Sequence, residues 1–275
     1  MLQIIPINKR TEKHVDTATI KYIENTDNAD SMTKKYNRAI ENFVLNSNED
    51  IICFRHDDTE LRTPIDVCDY KVRKLTENHK IAVLGVIGTI ALEPSCAWWT
   101  GVSNAGGRNT YGAGSIIQGG KRPKVVDNKP VLGPDNKPIM EDFEYPMNDF
   151  PGVHPYMATV DGCCMFFPKW FFQEGFRFDE NLMNFHFYDA DICLQALAAG
   201  YKVSTCDLVV KHKSSGNLPK NWDILKQNFF NKWNAAVEGQ WPISRLTKFN
   251  MSNIKIRDKV NNDKKPETEE SKPTV

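Results

Sequence analysis

His56, Asp57 and Asp58 stand just beyond an apolar run, Ile51-Ile-Cys-Phe54. Such a run reads as a buried strand, and in open α/β sheets ligands gather beyond the carboxyl ends of strands. Adjacent carboxylates at that place are hard oxygen ligands suited to Mg2+ or Mn2+ beside a diphosphate. A solvated turn explains the same tripeptide taken alone. Tyr188-Asp189-Ala190-Asp191 is the second group. Asp189 placed at a helix start is either a plain N-cap or a general base that deprotonates an acceptor hydroxyl. His212 lies between Lys211 and Lys213. Its imidazole can complete a metal shell while the lysines neutralise phosphate, and a surface histidine in a basic loop is the plain alternative. Trp98-Trp99 is core packing or a flat platform for a sugar ring. Asp161-Gly162 is a bulge or turn unless a site surrounds it.

The elements around these groups set where they can go. Thr17–Glu24 reads as a short strand, followed by the turn residues Asn25 to Asp30. Met32, Tyr36, Ala39, Ile40, Phe43 and Val44 keep helical spacing, with Asp30 or Ser31 as N-cap. Ile51–Phe54 and Ile81–Gly88 are buried strands, and 65–79 is weakly helical. This alternation predicts an α/β sheet with parallel strands. Residues 101–122 are rich in Gly, Ser and Asn, and Asp-Asn-Lys-Pro occurs at 127–130 and again at 135–138, which predicts a small hairpin inside a long insertion. Ala158–Phe167 reads as one strand. A helix runs from a capping Asp189 to Ala199, with Gly200 at the C′ position. Short strands lead to His212, and a closing helix over 221–238 carries the stripe Trp222, Leu225, Phe229, Trp233 and Val237. The charged end of the chain, 251–275, is expected to be disordered.

Composition narrows the classes. The 275 residues hold 40% apolar and 25% charged residues, ordinary globular usage. Lys+Arg and Asp+Glu are both 35, so net charge gives no general affinity for nucleic acid or anionic membrane. Local basic clusters are Lys121-Arg-Pro-Lys124 and Lys211-His-Lys213. No apolar run approaches the roughly 20 residues that span a bilayer, and the amino-terminal residues do not form a signal peptide. The seven cysteines form no C-x-x-C pair, which speaks against a zinc cage and for reduced thiols. A cytoplasmic location is the expectation.

Taken in order, the groups form a set: Tyr36-Asn37, Ala39-Ile40, His56-x-Asp58, Val160-Asp-Gly162, Phe178-Asp-Glu180, Phe187-Tyr-Asp-Ala-Asp-Ile-Cys-Leu194, Ala199-Gly-Tyr201 and His212. The set resembles the GT-A nucleotide-sugar glycosyltransferases of family 2 type, over about residues 17–216. It is most similar to a subgroup with His-x-Asp in place of Asp-x-Asp, which also shares Gly85-Val-Ile-Gly88, Trp98-Trp99 and His186-Phe-Tyr-Asp189. The resemblance implies a single α/β GT-A-like domain over 1–250, with a mostly parallel central sheet and a loop or hairpin insertion at about 101–157. It implies a metal site of Asp58, His212 and His56 for Mn2+ or Mg2+, and Asp189 as catalytic base. It places Asp57, Asp161 and Gly162 at the donor, with Glu24 and Asn25 reading base and ribose, and Trp98, Trp99, Tyr188 and Asp191 on the acceptor side. Two positions depart from the pattern: His56 replaces an Asp, and Tyr188 replaces the Glu of a Glu-Asp pair. The amino-terminal βα unit is also short.

The implied activity is metal-dependent, inverting transfer of a sugar from a nucleoside-diphosphate sugar to a hydroxyl. The acceptor class stays open: a glycan, a protein, a small molecule or a modified nucleobase in DNA. A catalytically inactive sugar- or nucleotide-binding module on the same scaffold is the alternative from another class, because fold does not fix function. A nucleotidyltransferase is a third reading.

Overall fold

The computed structural model describes residues 1–7, 11–24, 31–77, 80–101, 111–182, 186–213 and 218–253. Strand β1 (Leu2–Ile7) pairs in parallel with β2 (Ile20–Glu24). Parallel neighbours normally need a crossover of a dozen or more residues, usually helical. Here the described part of the link, 11–19, holds no helix. Side chains close it instead: Thr17 Oγ1 accepts from the Ile20 amide at 3.0 Å, and Asp16 Oδ1 from the Tyr22 amide at 3.0 Å. Helix α1 (Met32–Ala39) is capped by Ser31, whose hydroxyl accepts from the Lys34 amide at 3.4 Å. The periodic pattern then continues as a π-helical turn over Ile40–Val44. Strand β3 (Ile51–Arg55) follows, buried through Phe54, then the short β4 (Thr59–Leu61), α2 (Ile65–Thr76) and β5 (Ile81–Gly85).

The strand expected over 81–88 is two strands. The chain changes sheet at Val86 and resumes as β6 (Ile87–Thr89), then β7 (Ala91–Leu92). Glycine makes the change of sheet possible, because a Cβ on Gly88 would sit 2.1 Å from the Thr159 carbonyl oxygen. The insertion is a long antiparallel hairpin of β8 (Gly112–Pro123) against a later strand. At its tip β9 (Val125–Val126) and β10 (Lys129–Pro130) form a second, smaller hairpin. Asp127 and Asn128 turn it with φ of 48° and 59°, the left-handed pair that a tight hairpin requires. The chain returns along β11 (Met140–Phe150). The expected strand 158–167 also divides, into β12 (Thr159–Val160) and β13 (Cys164–Pro168), with Asp161-Gly162-Cys163 as the turn between. Next come α3 (Lys169–Gln173), α4 (Tyr188–Ala198), β14 (Lys202–Thr205), β15 (Val210–His212) and α5 (Trp222–Ala236). Finally β16 (Ile243–Ser244) pairs with β7. Residues 251–253, at the start of the expected disordered tail, form a 3-10 turn instead, and 254–275 lie outside the described residues.

The central sheet has the order β14-β5-β13-β3-β1-β2. β13 runs antiparallel to both of its neighbours, and the other pairs are parallel. The carboxyl ends of β1, β2 and β3 therefore lie at one end of the sheet. A second sheet, β12-β6-β8-β15-β4, gathers the elements that follow those ends. On one face of the central sheet Phe54 meets Tyr36, Phe172 and Phe178 at ring distances of 4.7, 5.8 and 5.5 Å. Burying each such ring contributes roughly 1.5–3 kcal/mol, which anchors the strand that leads to His56. All seven cysteines are free and buried.

Candidate active site

Four pieces of backbone meet at the end of β3. The His56 amide donates to the Cys163 carbonyl at 2.9 Å, and the Thr59 hydroxyl donates to the same oxygen at 3.1 Å. The β15–β4 ladder sets His212 opposite Thr59, and the Lys213 amide donates to the Asp58 carbonyl at 3.0 Å. The turn 161–163 and the end of β15 thus fix the His56–Asp58 loop from two sides.

Three side chains converge there. Asp58 Oδ1 lies 3.5 Å from His212 Nε2 and 3.9 Å from His56 Nδ1. That oxygen is buried and has no hydrogen-bond partner among the described residues. A buried carboxylate oxygen left so is costly, and a divalent ion among these three ligand atoms removes the cost, so the residues fit such a group. Asp161, Cys163 and His212 form an overlapping set at similar spacing. The charges are already polarised. Burial works to raise the Asp58 pKa, but contact with His212 and its positive charge outweigh it, and the carboxyl is held low. Burial works to lower the His212 pKa, and Asp58 and Asp161 reverse that and raise it. Burial dominates at His56, whose pKa falls to about 4, so its imidazole is neutral.

Asp57 is not one of the converging ligands. It is exposed and lines a cleft of about 560 Å³ together with Gln3, Arg55, Asp58, Arg62 and Lys213. Burial and the charge of Asp58 raise its pKa. The two lysines beside His212 are partly engaged elsewhere. Lys211 pairs with Glu144, which also takes a two-pronged contact from Arg62 at 2.8 and 2.9 Å, and Lys213 lies 3.7 Å from Glu60.

Asp189 sits across the turn from the trio. Its Oδ2 accepts from the Gly162 amide at 3.0 Å and its Oδ1 from the Ala190 amide at 2.8 Å. Burial, and then the charge of Asp161, push its pKa up to about 7. Asp161 itself accepts from the Cys163 amide at 2.9 Å. Asp189 is not the N-cap expected from its position. The cap is Phe187, held at φ 66° without a side-chain bond and packed on Trp222 and Phe229 at 4.7 and 5.0 Å. A non-glycine residue in that region stores on the order of 1–3 kcal/mol, offset here by the aromatic packing.

Two residues expected at the acceptor are core residues. Tyr188 is 2% exposed, and its hydroxyl bridges His56 Nε2 at 2.7 Å and the Gly162 carbonyl at 3.1 Å. Asp191 is 0% exposed and clamps α4 to α5, binding Lys232 at 2.5 Å, the Trp233 indole at 2.9 Å and Gln195 at 2.7 Å. Neither lies on the accessible surface of the site. Trp98 is also buried, whereas the half-buried Trp99 packs against Trp222 at 5.2 Å. Glu24 ends β2, the edge strand, at the same end of the sheet as His56; Asn25 lies outside the described residues. Cys163 and Thr59 were missed by sequence reasoning. Only their adjacency to Asp161-Gly162 and to His56–Asp58 could have signalled them.

None of the curated protein sequences matches the chain. Among solved structures, A197 from STIV superposes with a TM-score of 0.41 at 9% identity, covering 78% of this chain and 85% of its own. GalNAc-T7, solved with UDP, GalNAc and Mn2+, superposes at 0.47 with 11% identity, over 85% of this chain and 44% of its own. Among the described residues no helix is long and apolar enough to cross a membrane. The model of a glycosyltransferase-like family matches residues 14–241, most of the length and every residue of the converging site, and the chain belongs to that family.

Proposed function

We propose that this glycosyltransferase moves a sugar from a nucleoside-diphosphate sugar to an acceptor hydroxyl, with inversion at the anomeric carbon. The observation that carries the reading is the orphaned Asp58 oxygen facing two imidazoles, with a carboxyl of raised pKa one turn away. Asp58, His212 and His56 are the residues that hold the divalent ion. When bound, the ion neutralises charge on the departing diphosphate. Asp189 takes the acceptor proton. With a pKa near 7 its carboxylate is basic enough to accept that proton as the acceptor oxygen bonds to the anomeric carbon and the bond to phosphate breaks. The Gly162 amide holds Asp189 in one orientation throughout. The cleft beside Asp57 and Arg55 has room for the nucleotide portion of the donor. Inversion follows from the family resemblance and from a single base on the acceptor side.

Thermal-shift screening of nucleotide sugars with and without Mn2+ identifies the donor, since a ligand at one hundred times its Kd adds about 2.7 kcal/mol. Transfer with release of a nucleoside diphosphate supports the reading. Binding without transfer or hydrolysis for every donor would make the chain a binding module, and release of pyrophosphate would make it a nucleotidyltransferase.

A further inference from the structure

We propose that Tyr188 is a positioning residue whose hydroxyl fixes the tautomer of His56 and so turns its Nδ1 lone pair toward Asp58. The inference rests on the metal site described above. A carbonyl oxygen can only accept, so the 3.1 Å contact between the Tyr188 hydroxyl and the Gly162 carbonyl places the phenolic hydrogen there. The Tyr188 oxygen then faces His56 Nε2, at 2.7 Å, with lone pairs alone, and Nε2 must carry the N–H. A neutral imidazole has one N–H, which leaves Nδ1 as the basic nitrogen. Nδ1 is the atom on the Asp58 side, 3.9 Å from Oδ1. The opposite tautomer would aim an N–H at the place where the ion is held.

The ring that carries this hydroxyl is held in place. Tyr36 and Phe178 pack edge-on against the Tyr188 ring at 5.5 and 5.9 Å. A Cβ at Gly162 would come within 2.3 Å of the hydroxyl oxygen, so glycine is what leaves it room. The His56 backbone is pinned to Cys163 at 2.9 Å. The two departures from the acidic family pattern are thus in contact with each other. A carboxylate at position 56 has no tautomer to set, whereas an imidazole needs a partner behind it, and Tyr188 supplies one. Outer partners of this kind typically change metal affinity 10–100-fold.

The test uses the full chain labelled with 15N-histidine. In the metal-free parent at pH 7.5 the His56 nitrogens should report the Nε2–H tautomer, and in Tyr188→Phe a mixture. Mn2+ titration followed by electron paramagnetic resonance should show affinity falling about 10–100-fold in Tyr188→Phe, with a modest fall in melting temperature from the His56 N–H and Gly162 carbonyl that lose their partner while the ring contacts remain. Gly162→Ala should weaken Mn2+ binding as well, by displacing the hydroxyl. An Nδ1–H tautomer in the parent, or parental Mn2+ affinity in Tyr188→Phe, would overturn this inference and leave the metal site standing. A parent that binds no Mn2+ would overturn the metal site itself, and the affinity role of Tyr188 with it.

Discussion

Replacing Asp189 by Asn should change stability in a way that reverses with pH. The carboxyl has an ordinary pKa of 3.8 and one of about 7 in the folded protein, raised by burial and by the charge of Asp161. Between those values the unfolded chain gives up the proton while the folded chain keeps it. The parent therefore loses stability as pH rises from about 4 to about 7 and is level on either side. At 1.36 kcal/mol per pH unit the ceiling is about 4 kcal/mol. Asp189 retains some contact with solvent, which reduces the expected loss to on the order of 2 kcal/mol. Asn has no proton to lose. It also has one acceptor oxygen where Asp189 uses two, for Gly162 and Ala190, so one amide is left unpaired at a cost of about 1 kcal/mol. Asp189→Asn should thus be less stable than the parent at pH 4 and more stable at pH 8, by roughly 1 kcal/mol each way. Urea titration of metal-free protein across this range measures it. With Mn2+ restored, kcat/KM of the parent should rise through the neutral range, and transfer by the variant should be lost. A stability difference that is constant with pH would refute the raised pKa, and near-parental turnover would remove Asp189 as the base.

Other substitutions separate the parts of the site. Asp58→Ala should abolish the mutual tightening of Mn2+ and nucleoside diphosphate, whereas Asp57→Ala, which leaves the trio intact, should keep most of it; linkage requires the same factor in both directions. Calorimetric titration with and without Mn2+ decides this, and equal donor affinity in the parent would sink the shared-ion model. Asp191→Ala leaves the buried Trp233 indole without its acceptor and Lys232 with Asp179 as its remaining carboxylate, and should cost about 1–3 kcal/mol by urea unfolding while folded molecules keep their turnover. Gly88→Ala drives a Cβ against the Thr159 carbonyl and should lower stability by about 1–3 kcal/mol, read as a fall in melting temperature.

The strands that build the site were legible because they are buried on both faces. Ile51–Phe54 and Ile81–Gly85 read as continuous apolar runs, and both are central strands. The helix stripe of Leu225, Phe229 and Trp233 was legible for the same reason, since all three are buried. The breaks in two strands were not legible. Apolar character continues through Val86 and through Cys163, and nothing in periodicity marks where a chain leaves one sheet for another. The glycines at 85, 88 and 162 mark these places, but only the folded neighbours show why: a Cβ would meet the Val160 side chain at 85, the Thr159 carbonyl at 88 and the Tyr188 hydroxyl at 162. The size of the hairpin arm was underestimated because β8 contains Gly112, Gly114, Gly119 and Gly120, a composition that reads as loop.

Of the candidate site, the grouping of His56, Asp58 and His212 was legible in sequence, whereas the inward directions of Tyr188 and Asp191 were not, and helix geometry accounts for that difference. Successive residues on an α-helix turn by about 100°, so positions two apart lie about 200° apart. Asp189 and Asp191 open α4 and must therefore face nearly opposite ways. With Asp189 bonded to the Gly162 amide, Asp191 points at α5, where Lys232 and Trp233 bind it. Tyr188, one residue earlier, turns inward to the Gly162 carbonyl and His56. A single helix start thus sends the proposed base to one side, a hydroxyl to the imidazole of His56 and a carboxylate to the core. The three have different consequences when changed: turnover for Asp189, ion affinity for Tyr188, stability for Asp191. Gly162 joins the first two, because its amide holds the base and its carbonyl orders the hydroxyl behind His56. A change that shifts this one peptide should therefore disturb proton acceptance and ion binding together, though neither Asp189 nor His56 has been altered.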